Sequence, residues 1–282
     1  MIVVKNPKEM ILLARSWRSR GHKIALVPTM GYFHLGHLSL MDMALQRADR
    51  VVVSLFVNPT QFGPSEDLDQ YPRDLVRDTC LAKERGVHCL FIPDARQMYP
   101  SGFQTWVDVT ELTKVLCGAS RPGHFRGVAT VVIKLFNIVQ PDIAVFGQKD
   151  FQQLQVIKRM VTDLNMPIEI LSHPIVREPD GLAMSSRNTY LNDQERKSAL
   201  CLYKSLLLAQ DLVIKGISSC AEIRAQMEKY ILDQSFTRID YIFLGDPNTL
   251  SEKEVVELPL LIALAVFVGK TRLIDNILID NK

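Results

Sequence analysis

The stretch Pro28-Thr29-Met30-Gly31-Tyr32-Phe33-His34-Leu35-Gly36-His37 decides the fold of this chain. It follows a short apolar run, Ile24 to Val27, that reads as a buried strand. It precedes Leu38 to Ala48, which reads as a helix. Two imidazoles and two glycines therefore sit where a strand hands over to a helix. Unpaired backbone N–H groups and the positive end of the helix dipole converge at such a junction, so it suits a phosphate. Gly36, with no Cβ, lets an anion approach the backbone. A helix beginning near Gly36 puts His34 and His37 three residues apart across its first turn, facing one ligand. Taken alone, the same residues also read as solvated turn histidines, or as a His-x-x-His fragment of a metal site that needs further ligands.

Outward from this junction, strand-like and helix-like segments alternate. Arg50–Val57 reads as a strand, Leu75–Arg85 as a helix and Val87–Ile92 as a strand. Thr105–Val109, polar at alternate positions, reads as an edge strand. Gly127–Val139 is an apolar helix, Ile143–Phe146 a strand, Phe151–Leu164 a helix and Ile168–Leu171 a strand. β-rich runs separated by helix-length segments predict a Rossmann-like, doubly wound parallel sheet. Ligands of such sheets bind beyond the carboxyl ends of the strands.

Past Val176–Arg177 the pattern changes. Asn192 with Glu195 three residues later predicts a capped helix running to about Lys215, and Ser219-x-x-Glu222 opens another to about Asp233. Ile239–Leu244, Leu260–Val268 and Leu273–Leu278 are strand-like. Residues 176–282 therefore read as a smaller α+β C-terminal domain, following a domain of residues 1–175.

Composition bounds the function. The 282 residues are 47% hydrophobic and 23% charged with a formal net charge of +2, so no global field points to nucleic acid or to a membrane surface. The longest apolar run, Leu258 to Val268, is too short to span a bilayer. Five cysteines without a Cys-x-x-Cys pair read as reduced, buried thiols of a cytoplasmic protein. The start of the chain lacks the pattern of a secretion signal.

Four more stretches carry chemistry. Asn58-Pro59-Thr60-Gln61-Phe62-Gly63 follows a strand, and its two amides suit a small polyhydroxylated acid. The acidic continuation Glu66-Asp67-Leu68-Asp69 reads as a solvated face. Gly118 to Gly127 leads glycines, arginines and a histidine into a helix, which fits an anion site or a mobile lid equally well. In Phe146-Gly147-Gln148-Lys149-Asp150-Phe151-Gln152-Gln153, Lys149 is a point charge for phosphate. Asp150 suits a helix cap, a ribose hydroxyl or a magnesium ion, and Gln153 lies one turn into the helix. Gly181 to Asn188 contains Ser185-Ser186-Arg187, two hydroxyls and a guanidinium suited to clamping phosphate.

In this order the stretches resemble the pantoate–β-alanine ligase (pantothenate synthetase) family. The resemblance runs through Pro28–His37, Phe56–Gly63 with Asp67–Arg73, Cys117–Gly127, Phe146–Gln153 and Val176–Asn188, most of the chain between Ile24 and Leu191. The His-x-Gly-His element alone is shared with nucleotidyltransferases and class I aminoacyl-tRNA synthetases. Met184–Arg187 resembles the flexible phosphate-binding loop those relatives carry as Lys-Met-Ser-Lys-Ser. The C-terminal third matches mainly in length and pattern. Where the family commonly has glutamate, this chain has Leu35 inside the histidine motif and Gln148 after the later strand.

The resemblance implies ATP-dependent condensation of pantoate with β-alanine to pantothenate, through a pantoyl adenylate, with release of AMP and pyrophosphate. It implies that His34 and His37 contact the triphosphate, His37 next to the reacting phosphate, and that Lys149 balances charge as pyrophosphate leaves. Ser185, Ser186 and Arg187 would close on the triphosphate. Met30, Gly31, Gly36, Gly147, Gln148, Asp150, Val176 and Met184 would line the ATP site, and Gln61 and Gln153 would grip pantoate. The first domain would then bind ATP and pantoate, and the second would act as a lid. Magnesium would enter with ATP, bridging phosphate oxygens mostly through water, with Asp78 or Asp150 as helpers and no direct protein ligand assigned. A homodimer is implied; a nucleic-acid or membrane partner is not. Two rivals share residues with this reading. A nucleotidyltransferase would use His34 and His37 but has no use for the Gln61 and Gln153 pair. A binding module of synthetase ancestry would bind ATP without releasing pyrophosphate, and the absence of a basic stripe counts against tRNA.

Overall fold

A computed structural model describes residues 1–64 and 66–280. In chain order the first part forms β1 (Ile2–Val4), α1 (Pro7–Arg18), β2 (Ile24–Thr29), α2 (Leu35–Leu45) and β3 (Arg50–Leu55). It continues with α3 (Leu75–Glu84), β4 (Cys89–Phe91), α4 (Ala95–Met98), α5 (Leu116–Ser120), α6 (His124–Val139), β5 (Ile143–Gly147), α7 (Phe151–Asp163) and β6 (Glu169–His173). The later part forms α8 (Asp193–Ala199), α9 (Cys201–Ile214), α10 (Cys220–Leu232), β7 (Thr237–Gly245), β8 (Leu260–Val268) and β9 (Thr271–Ile279).

The first sheet is wholly parallel, in the order β1-β4-β3-β2-β5-β6. β2 is apolar almost throughout because it lies at the centre: Ala25 pairs with Val51 on one side and with Ile143 on the other. Ala25, Val27, Val51, Val53 and Val145 share one face with Leu38, Met41 and Ala44 of α2. Alternation turns Ile24, Leu26, Val52 and Ala144 to the opposite face, where α1 and α6 pack against β2. The chain proceeds from β2 to β3 and β4 in one direction and resumes with β5 on the other side of β2. That reversal makes a topological switch point, with the crevice for a ligand beyond the carboxyl ends of β2 and β5.

The second sheet is antiparallel, β7-β8-β9, with β8 buried along nearly its whole length. Leu202, Leu206, Ile223 and Met227 of α9 and α10 pack on Ile262, Leu264 and Val266. The chain divides into two compact units. One comprises Met1–Thr113, Arg121–Gln148 and Gln153–Pro174; the other comprises Lys114–Ser120, Lys149–Gln152 and Ile175–Lys282.

The structure corrects several expectations. Thr105–Val109 forms no strand; the Val107 N–H donates to Thr130 Oγ1 on α6 instead of to a neighbouring strand. The helix expected from Asn192 to Lys215 is two. The capping box of Asn192 and Glu195 forms, but the Leu200 N–H turns back to the Lys197 carbonyl and tightens the chain into a break. The helix expected at Gly127 starts three residues earlier, at His124. β1 and α1 carried too weak a pattern to be anticipated. Cys80 is exposed, whereas the other four cysteines are buried. Among the described residues no helix is long and apolar enough to cross a membrane.

Candidate active site

His34 is the N-cap of α2, in extended conformation at the exit of β2. Its Nδ1 accepts the Gly36 N–H at 3.1 Å, and His37 Nδ1 reaches back to accept the His34 N–H at 3.3 Å. This is a reciprocal capping box built from two imidazoles. The ring centroids lie 4.1 Å apart, so the two histidines share one side of the turn, as their spacing predicts.

The loop before them is held by Asp78 in the first turns of α3. Its carboxylate accepts the Tyr32 N–H at 2.6 Å and the Phe33 N–H at 2.7 Å. Gly31 and Tyr32 both have positive φ, 87° and 52°. A Cβ on Gly31 would stand 3.0 Å from Asp78 Oδ2 and 3.1 Å from the Leu55 side chain, so only glycine turns here without displacing them. Burial pushes the Asp78 carboxyl above its ordinary value, although both N–H bonds pull it down. Asp78 is thus a buttress of the histidine loop. The expectation of unpaired backbone amides at this junction is corrected in detail: those of Tyr32, Phe33, His34 and Gly36 already have acceptors within the protein.

After β3, Asn58 caps a short 3-10 turn, Pro59–Gln61. Asn58 Nδ2 donates to Gln61 Oε1 at 3.2 Å and to the Gly127 carbonyl at 3.1 Å, which fixes both the turn and the Gln61 side chain. Gln61 Nε2 approaches Met30 Sδ at 3.1 Å, tying the candidate pantoate residue to the histidine loop. Helix α6 runs so close that a Cβ on Gly127 would lie 2.4 Å from the Thr60 carbonyl oxygen.

His124 Nδ1 donates to the Gln61 carbonyl at 2.8 Å. Arg121 donates to His124 Nε2 at 3.1 Å and makes a two-pronged pair with Glu66 at 2.7 and 2.6 Å. Glu66 is therefore no solvated face, and Arg121 and His124 are anchored where the sequence also allowed a mobile lid. Burial raises the Glu66 carboxyl, but the Arg121 hydrogen bond and charge outweigh it and hold it below its ordinary value. Gly147 and Gln148 leave β5 beside β2, and Gln153 is half-buried on α7.

The remaining candidates lie in the second unit. The Lys149 carbonyl accepts from Asn276 Nδ2 at 3.0 Å, which fixes its backbone on β9, and Asp150 is exposed. Gln152 is buried; its amide donates to the Val115 carbonyl at 2.7 Å and accepts the Cys117 N–H at 3.0 Å. Val176 and Met184 face each other across a small hairpin, with the Met184 N–H on the Val176 carbonyl at 2.9 Å and a bridge from Arg177 to Ala183.

Arg177 anchors that hairpin. It forms a two-pronged pair with buried Asp275 at 2.6 and 3.0 Å and lies 3.8 Å over the Tyr203 ring. Burial raises the Asp275 carboxyl, against the pull of Arg177. Asn188 and Arg196 both reach Glu178. Ser185 caps the 3-10 turn Ser186–Tyr190 by accepting the Arg187 N–H, so Ser185, Ser186 and Arg187 occupy one ordered turn. Asp78, Gly127, Asp275 and Asn276 support the candidates from positions distant in the chain, and no local pattern announces Asp275 or Asn276. Among the described residues no group of three His, Cys, Asp or Glu is placed to hold a metal ion.

Comparison with known proteins agrees with this architecture. A family model for pantoate-beta-alanine ligase matches residues 2–278. A pantothenate synthetase of Caldicellulosiruptor bescii is 54% identical over the whole of both chains, and one of Moorella thermoacetica is 59% identical over 93% of each. The crystal structure of pantothenate synthetase from Thermus thermophilus superposes with a TM-score of 0.94 at 44% identity over all of both chains. A pantoate-beta-alanine ligase from Francisella tularensis, complexed with beta-gamma ATP and beta-alanine, superposes at 0.82 with 35% identity, covering 99% of this chain and 97% of that one. By whole-length sequence match and by fold, the chain belongs to the pantoate-beta-alanine ligase family of enzymes.

Proposed function

We propose that this ligase joins pantoate to β-alanine in two steps, using the histidine motif, Lys149, the Ser185–Arg187 turn and the Gln61 and Gln153 pair. A carboxylate is a poor acyl donor to an amine, because oxide would have to leave. Attack of the pantoate carboxylate oxygen on the α-phosphorus of ATP forms a pantoyl adenylate and expels pyrophosphate. The β-alanine amine then attacks the acyl carbon, AMP leaves with the bonding electrons, and the amine gives up a proton. An alkyl amine has a pKa near lysine's, about 10.4, so the second step draws on the neutral fraction.

The observation that carries this reading is the pairing of His34 and His37 on one turn at the switch point, with centroids 4.1 Å apart. In this reading His34 and His37 bind the triphosphate, and Lys149 offsets charge as pyrophosphate leaves. Met30, Gly31, Gly36, Gly147, Gln148, Asp150, Val176 and Met184 line the nucleotide site, and Ser185, Ser186 and Arg187 close on its phosphates. Gln61, immobilised by Asn58, and Gln153 hold pantoate. Magnesium would enter as the ATP complex, with exposed Asp150 as a candidate helper, and would supply charge neutralisation at the phosphates. Residues 1–175 act as the ATP- and pantoate-binding domain and 176–282 as the lid, in a cytoplasmic homodimer.

The test is pyrophosphate release with ATP and magnesium, supplied with pantoate alone, β-alanine alone, or both. A pantoate-dependent burst that β-alanine makes continuous, with pantothenate appearing, is the expected result. Pyrophosphate release independent of pantoate would overturn the reading.

A further inference from the structure

The backbone amides of the histidine loop are already engaged: Tyr32 and Phe33 donate to Asp78, Gly36 to His34 Nδ1 and His34 to His37 Nδ1. An N–H group donates only to a ring nitrogen that carries no proton. The hydrogen bond at one imidazole nitrogen therefore dictates where the proton resides. Both Nδ1 atoms are acceptors, which leaves the proton of each ring on Nε2.

A second consideration points the same way. The rings sit at the N-terminus of α2, where the helix dipole opposes a positive charge. An imidazolium at either position would also set an Nδ1–H against a backbone N–H and break the capping box. His124 provides an internal contrast, since its Nδ1 donates to the Gln61 carbonyl and its Nε2 accepts from Arg121. The fold thus prepares two histidine tautomers within one unit.

We infer that the capping box of α2 locks His34 and His37 as neutral Nε2–H tautomers, so that the motif offers phosphate two uncharged N–H donors and no imidazolium. Resting on the ligase reading, this assigns the motif's catalytic work to directed hydrogen bonding at the phosphoryl group. Positive charge at the triphosphate then falls to Lys149 and Arg187. It also explains why two histidines stand in a capping box that Ser and Glu ordinarily fill: the Nδ1 edges serve the backbone and the Nε2 edges keep the proton.

The experiment is long-range 1H–15N correlation of the histidine rings in the full-length protein without substrates, near pH 7.5. The chain has six histidines, and His34→Asn and His37→Gln assign the two of interest by loss of their signals. The expected pattern is Nε2–H for His34 and His37, with Nδ1–H for His124 as reference. An imidazolium or Nδ1–H pattern at either motif histidine overturns the proposal. Because no substrate is present, this outcome is independent of whether pantoate supports turnover.

Kinetics supply the second arm. Gln places an amide N–H near the Nε2 position and Asn places one near Nδ1. His37→Gln should therefore retain at least about tenfold more kcat than His37→Asn. Equal loss in both, with folding intact, overturns the donor role. His34→Asn, which keeps a good N-cap, should melt close to the wild type while losing at least about tenfold in kcat. Wild-type kcat in that variant overturns it as well.

Discussion

The histidine loop and the Val176–Asn188 hairpin are proposed to serve the same nucleotide, yet the protein holds them by opposite means. His34 and His37 cap each other across three residues, and Asp78 supports their loop from α3. The hairpin depends on partners far along the chain. Arg177 grips Asp275, and Glu178 is shared by Asn188 and Arg196. A loop capped by its own side chains and buttressed by one buried carboxylate is a fixed platform. A loop ordered by charged pairs to other elements can be released by changing a single distant group.

The largest effect should come from deleting one charged or donor group from the histidine loop and one from the second unit, to which both Lys149 and the hairpin belong. His37→Ala and Lys149→Ala should each lower kcat by about 10²-fold or more, on the order of 3 kcal/mol of transition-state stabilisation. Single-turnover measurement of pyrophosphate release isolates the adenylation step. Loss in only one of the two, with folding intact, would mean that the phosphates are served from one side alone.

The next test concerns the remote support itself. Asp275 is buried and its carboxyl is already raised by burial, while Arg177 retains a contact with the Gly181 carbonyl and the Tyr203 ring. The two halves of the pair are therefore unequal. Arg177→Met strands a buried carboxylate and should cost about 3–5 kcal/mol. Asp275→Asn should cost less than half of that, as denaturant titration would show.

The pH dependence follows from the raised carboxyl. A carboxyl whose folded pKa lies above its unfolded value binds more protons folded than unfolded between the two, so stability falls as pH rises through that window. The Arg177→Met deficit should accordingly grow as pH rises past the raised wild-type carboxyl value, and should shrink at low pH to what the lost Gly181 and Tyr203 contacts contribute. Equal deficits in the two variants at all pH values would show that the pair is not electrostatically asymmetric.

A third prediction sharpens the account of the fixed platform. Gly127→Ala drives a methyl to 2.4 Å from the Thr60 carbonyl oxygen, against backbone that cannot rotate away. Relief requires displacing the Asn58–Gln61 turn, at about 1–3 kcal/mol. Because that turn carries Gln61, KM for pantoate should rise about tenfold, corresponding to about 1.4 kcal/mol, while KM for ATP moves little. Matching changes in both constants would show that the turn does not separate the two substrates.

How much of this was legible in the sequence follows the same division. The histidine turn was readable because its strand, cap and helix lie within about twenty residues, and local order writes local patterns. The parallel sheet was readable from apolar runs such as Ile24–Val27, and the second domain from the Asn192–Glu195 box and three β-rich runs. Thr105–Val109 misled because alternation describes one strand and says nothing of the neighbour it needs. Gln152, Asp275 and Asn276 carry no pattern of their own: their roles arise only when Cys117, Arg177 and Lys149 bring backbone groups and charge that a linear reading does not place beside them. Glu66 looked like part of a solvated acidic run because its partner, Arg121, lies 55 residues away.

That pair gives the smallest expected effect and separates a tether from a catalytic group. Arg121 holds the Glu66 carboxyl below its ordinary value of 4.5, with both side chains largely covered. A depressed folded pKa means the pair's contribution is fully present above 4.5 and lost as pH falls through the lower folded value. Glu66→Gln should therefore be less stable than the wild type by about 1 kcal/mol at pH 7, with the gap closing below pH 4.5. Its kcat should stay within about threefold, since the His124–Gln61 contact survives the change. A gap that persists at low pH would assign the Glu66 contribution to packing, and a large fall in kcat would move Arg121 and Glu66 from tether to chemistry.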